Sequence, residues 1–120
     1  MGKVKSDFSE EEWDAIKSHV RGILLDIAKR KSLVTYRELS NAITTAYVPY
    51  KSDALSTLLG EISDEEDKLG RGLLSVVVVH SEGRMPGRGF FSLAKELGRD
   101  TEDWVKFFVE ELNRVYGDQG

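Results

Sequence analysis

The stretch from Gly72 to Phe91, GLLSVVVVHSEGRMPGRGFF, sets the tightest limit on what this chain can fold into. Four consecutive valines follow two leucines and a serine with no polar alternation, so a strand built from them has to be covered on both faces. Such a strand needs helices around it. The run gives way to Gly83–Gly89, where three glycines, a proline and two arginines are crowded together. Glycine permits left-handed backbone and proline limits wandering of the loop. The pattern predicts a tight turn from His80 to Gly89, with Gly89-Phe90-Phe91 returning as an antiparallel partner strand.

The rest of the chain supplies the helices. Ser9 and Glu12 form a capping-box signature, after which Trp13, Ile16, Val20, Ile23, Leu24 and Ile27 recur at helical spacing up to the basic end Lys29-Arg30-Lys31. Thr35 and Glu38 repeat the box ahead of a brief helix, with Leu33-Val34 as a short strand before it. The segment around Pro49 reads as a loop. Ser52 or Asp53 then caps a third helix with Leu55, Leu58, Leu59, Ile62 and Leu69 inward, "SLAKELG" reads as a helical turn closed by Gly98, and Thr101 caps a terminal helix carrying Trp104, Phe107, Phe108, Leu112 and Val115.

Helix, short strand, helix, turn, helix, strand, Gly-rich turn, strand is the order of a winged helix. The fold expected is therefore an α+β, winged helix-turn-helix-like domain with about three main helices, a small antiparallel sheet and an added C-terminal helix. Its sheet would pair Leu33-Val34 with Leu73–Val79, and the latter with Gly89–Phe91. One domain is expected over residues 9–117, between flexible ends at 1–8 and 118–120, with Trp13, Ile16, Val20, Leu58, Leu59, Ile62, Val77, Phe107, Phe108 and Leu112 in one core.

Composition narrows the chemistry. With no cysteine among 120 residues, disulfides, thiolate metal sites and a cysteine nucleophile are excluded. The two histidines, His19 and His80, are far apart in sequence, and no metal or other cofactor is expected. Nothing reads as a signal peptide or membrane span, so a cytoplasmic protein is expected. The net charge of −4 argues against coating nucleic acid by bulk electrostatics. Distribution matters more: five cations face one acid between Lys68 and Lys95, whereas Glu61–Asp67 holds five acids in seven residues.

As a winged helix the domain would bind duplex DNA without enzymatic chemistry. Lys51, Ser52, Ser56 and Thr57 would lie at the start of the third helix, Tyr36 beside the groove, Arg84 and Arg88 on the wing tip, and Arg71 near its base, reaching phosphates or base edges. Each has a plain structural role as well, the first group as helix cap and solvated turn, the arginines as an ordinary hairpin surface. Ser75 and His80, five residues apart on the predicted strand, would face opposite ways and make no nucleophile–base pair. The acids at Asp64–Asp67 read as a solvated helix face. The alternative function is a protein-interaction module, binding a protein partner or a second copy through that acidic face or the C-terminal helix, with no nucleic acid.

Two resemblances add to this reading. Thr35–Gly83, through "TYRELS", resembles the winged-helix domain of the alkylguanine-DNA alkyltransferases and alkyltransferase-like proteins. The resemblance implies that Tyr36 takes the position of a tyrosine pressing on a phosphate near a flipped nucleotide. Aligned on Gly60, it sets Thr57 at that family's arginine finger and Ser75 near its reactive cysteine. "LLSVVVV" replaces the Pro-Cys-His-Arg segment, so alkyl transfer is ruled out. The segments "LLGEIS", "MPGRGFFSLAKELG" and "ELNRVYG" are similar to a group of small bacterial proteins of no known activity, which implies one compact domain.

Overall fold

The computed structural model describes residues 2–119; Met1 and Gly120, which the expected flexible ends include, lie outside the described residues. After a 3-10 turn at Lys5–Asp7, α1 spans Glu10–Lys29 and a two-residue strand β1 covers Val34–Thr35. Two further helices, α2 (Tyr36–Ala42) and α3 (Asp53–Lys68), precede a second 3-10 turn at Leu74–Val77 and the strand β2 (Val78–Val79). The chain ends with α4 (Arg88–Glu96) and α5 (Trp104–Asp118).

Local chemistry explains most of the boundaries. Ser9 and Thr35 each close a reciprocal capping box, with Glu12 and with Glu38, so two otherwise orphaned backbone donors are satisfied at each helix start. Ser52 caps α3 by accepting from the Leu55 N–H at 3.2 Å while its hydroxyl donates to the Pro49 carbonyl at 2.6 Å. The terminal helix begins later than expected: Asp103, rather than Thr101, accepts the Lys106 N–H.

The winged-helix sheet is not formed. Among the described residues the only ladder is parallel, pairing Val34 with Val78 and Thr35 with Val79. Two causes act together. Residues Leu74–Val77 curl into a 3-10 turn packed among α1, α3 and α5, which removes most of the expected strand from any ladder. Downstream, Gly89-Phe90-Phe91 is helical, not extended. Phe90, Phe91 and Ala94 are buried and Leu97 half-buried, the spacing of one helical face. Arg84 and Arg88 therefore sit on no wing: Arg84 lies in the turn after β2, and Arg88 is the first residue of α4.

The covering of the valine run on both faces holds. Leu73–Val79 is buried throughout, serine included. The expected core residues share one cluster with it, Leu112 being only partly buried against that cluster. Phe90 and Phe91 pack on Phe107, and Phe91 stacks on Trp104 with ring centroids 4.1 Å apart. The acids of α3 are not a solvated face. Glu61 accepts from Lys5 at 2.8 Å, Lys17 at 3.0 Å and the Trp13 indole N–H at 2.8 Å. Glu65 pairs with Lys17 and Arg21, Glu66 with Arg21 and Arg71, and Asp67 with Arg99. This run fastens α3 to α1 and to the segment before α5.

Candidate functional site

A cavity of about 400 Å³ opens where the start of α2, the first turns of α3 and the start of α4 converge. Tyr36, Tyr50, His80 and Phe90 give it aromatic walls, Leu59 and Leu93 add apolar surface, and Lys51, Ser56, Ser75 and Arg88 add polar groups. This is the size and composition of a small-molecule or base-sized pocket. The capping box at Thr35 fixes the first turn of α2, and so fixes Tyr36. Its hydroxyl accepts the Gly87 N–H at 2.8 Å. Burial raises the Tyr36 phenol above its ordinary range, the bond from Gly87 offsetting only part of this. The hydroxyl consequently stays protonated and keeps its own hydrogen to donate. The His80 ring leans on Tyr36, with centroids 4.8 Å apart and planes 37° from parallel.

Three glycines line the cavity. A Cβ on Gly87 would stand 3.0 Å from the Tyr36 hydroxyl and 3.3 Å from His80 Nε2, so a side chain there would press on both rings. Gly89 and Gly60 line the cavity with nothing within 4 Å of where a Cβ would project. Gly60 lies in mid-helix, where glycine costs stability relative to alanine, and it keeps the wall of α3 low.

Among the described residues, Arg37, Lys51, Arg84 and Arg88 are exposed and enter no ion pair. The Arg37 guanidinium lies 4.6 Å above the Tyr50 ring and donates to its hydroxyl at 2.8 Å; the Lys51 ammonium is 5.5 Å from the same ring. Arg84 lies near Glu38, whose carboxyl is held low first by its bonds to Thr35 and more weakly by this charge.

Of the residues singled out from sequence, Tyr36, Lys51, Ser56 and Arg88 come together in the cavity wall. Ser52 is buried in its cap, and Arg71 pairs with Glu66 at 3.5 Å. Thr57 faces another groove, beside Phe8 and Trp13. Sequence reasoning missed Tyr50, His80, Phe90 and the glycines. It also set Ser75 and His80 on opposite faces, which assumed strand alternation where a 3-10 turn stands, and both border the same cavity. Ser75 is nonetheless engaged elsewhere, its hydroxyl 2.7 Å from that of Ser63.

Among the described residues there is no group of three or more His, Cys, Asp or Glu that could hold a metal ion, and no helix long and apolar enough to cross a membrane. Comparison with protein-family models, curated proteins and solved structures finds no significant match to this chain.

Proposed function

We propose that this protein binds DNA through the cavity-bearing face, lodging one unstacked base between its aromatic walls while Lys51, Arg84 and Arg88 approach the adjoining phosphates. The observation that carries the reading is the conjunction, in the wall of one cavity large enough for a base, of aromatic rings with Lys51 and Arg88, which enter no ion pair among the described residues. Rings stack on any base, and free guanidinium and ammonium groups suit phosphate. Two further points favour it. Glu61, Glu65 and Glu66 of α3, which would repel DNA, pair with Lys17 and Arg21 of α1. Ser75, set by the resemblance near a reactive cysteine, lies in the wall of the same cavity. Its hydroxyl is bonded to Ser63 rather than to a base, so the site is read as a binding site with no catalytic step.

A second reading, a protein-interaction module, rests on α5, where Trp104, Val105 and Val109 are 44%, 63% and 48% exposed. The acidic face that the same reading invoked is occupied by internal ion pairs.

Anisotropy titrations with a fluorescent duplex separate these. A duplex carrying one bulged nucleotide should bind more tightly than its fully paired counterpart, because a base outside the stack costs less to extract. Gly60→Leu, which fills the cavity from an open position, should erase that preference. Absence of saturable binding at low salt, or a preference untouched by Gly60→Leu in folded protein, overturns the reading.

A further inference from the structure

A second cavity, of about 430 Å³, shares Tyr36, Tyr50, Lys51 and His80 with the first. Its remaining wall includes Arg37, Ser81 and Glu82. Resting on the DNA-binding reading, we infer that this second cavity holds the nucleotide next to the lodged base, so that the protein recognises two consecutive unpaired nucleotides rather than a single base extruded from a duplex.

The shared wall carries the inference. Two cavities with the rings of Tyr36, Tyr50 and His80 in common suit two successive planar groups, each with aromatic surface to stack on. Lys51 borders both, where it can meet the phosphate that links the two nucleotides. Tyr50 is held by Arg37 through a hydrogen bond and a cation over its ring, so its position is fixed before any ligand arrives. Alternating rings and cations along a groove is the pattern that tracks single strands.

The second cavity also has a chemical preference. Glu82 is exposed and, among the described residues, has no cationic partner. A carboxylate in this wall disfavours a bare phosphate and accepts a hydrogen bond from an exocyclic amine. The neighbouring nucleotide is therefore one bearing such an amine, cytosine, adenine or guanine, in preference to thymine.

The test compares labelled duplexes with a one-nucleotide bulge and with two-nucleotide bulges, TC and TT. The TC bulge should bind at least about fivefold more tightly than the single T bulge, the lower end of what one stacked base contributes. Arg37→Ala should reduce that ratio toward one, and Glu82→Gln should bring TC and TT together. Both side chains are exposed, and circular dichroism of each variant verifies its fold. Reading ratios removes any uniform loss from a changed charge. Single-bulge binding that depends on Gly60 but gains nothing from a second nucleotide overturns this inference and leaves the first reading standing. A ratio unmoved by Arg37→Ala and Glu82→Gln overturns it as well, and no binding to any bulge sinks both.

Discussion

Gly60 is the residue on which stability and site diverge. It sits inside α3, bordered by Leu59 on one side and Glu61 on the other, with open space where a side chain would project. Glycine in a helix interior loses more backbone entropy on folding than alanine and gains nothing in packing. Gly60→Ala should accordingly raise the free energy of unfolding by about 0.5–1 kcal/mol in a denaturant titration. A methyl should narrow the cavity only slightly, and a longer side chain should fill it. A loss of stability in Gly60→Ala would mean that the wall of α3 is packed in solution, and the cavity would then be closed. Gly87 differs. Its φ is an ordinary −71°, so space rather than backbone restricts it, through the approach to the Tyr36 hydroxyl and His80.

At the scale of elements, α3 is fixed by its acids as much as by its leucines. Burial alone would raise the Glu61 carboxyl, but hydrogen bonds from Lys5, Trp13 and Lys17 outweigh it and hold the group at about 2, against an ordinary 4.5. A carboxylate held low in the folded state adds stability above its unfolded value and loses it as the pH falls through the folded one. The contribution of Glu61 should be complete above about pH 5 and fade toward pH 2. Glu61→Gln should cost about 1–3 kcal/mol at pH 7, between surface and buried pairs, and should flatten acid denaturation across that window. An acid limb identical to the parent's would show that Glu61 does not clamp α1 to α3. These elements were also unequally legible in the sequence. Ser9, Thr35 and Ser52 announced their helices because a capping side chain acts within three residues. The acids of Asp64–Asp67 looked solvated because the partners of Glu65 and Asp67, Lys17, Arg21 and Arg99, are remote in the chain. Phe90-Phe91 looked like a strand because Gly89 precedes it, although Phe90, Ala94 and Leu97 already carried the helical period. The two-residue ladder and the 3-10 turn were illegible, since tertiary cover rather than local preference sets the backbone of a uniformly apolar run.

Across the whole molecule the net charge of −4 conceals a division of labour. Acids of α3 are matched by cations from α1, the N-terminal segment, Arg71 and Arg99, whereas Arg37, Lys51 and Arg88, in the walls of the cavities, enter no ion pair among the described residues. A chain of this sign can hold DNA only where local charge exceeds the global repulsion. Four of the thirteen residues lining the cavity were visible in advance, as Tyr36, Lys51, Ser56 and Arg88; Tyr50 and His80 joined them through packing that no local pattern encodes. The paired substitution Lys51→Ala with Arg88→Ala tests the division. Both side chains are exposed and outside every ion pair of the described residues, so thermal stability should stay nearly constant. Two lost phosphate contacts should flatten the plot of log affinity against log salt by about 1.4–1.8, at 0.7 per contact for single strands and 0.9 for duplex. Lys29→Ala with Lys31→Ala removes the same charge from the end of α1, where the residues are equally exposed. That control should leave the slope near the parent value, because Lys29 and Lys31 border neither cavity. Equal flattening in both pairs would mean that DNA is held by diffuse charge with no preferred face, and the cavity would then have no part in binding.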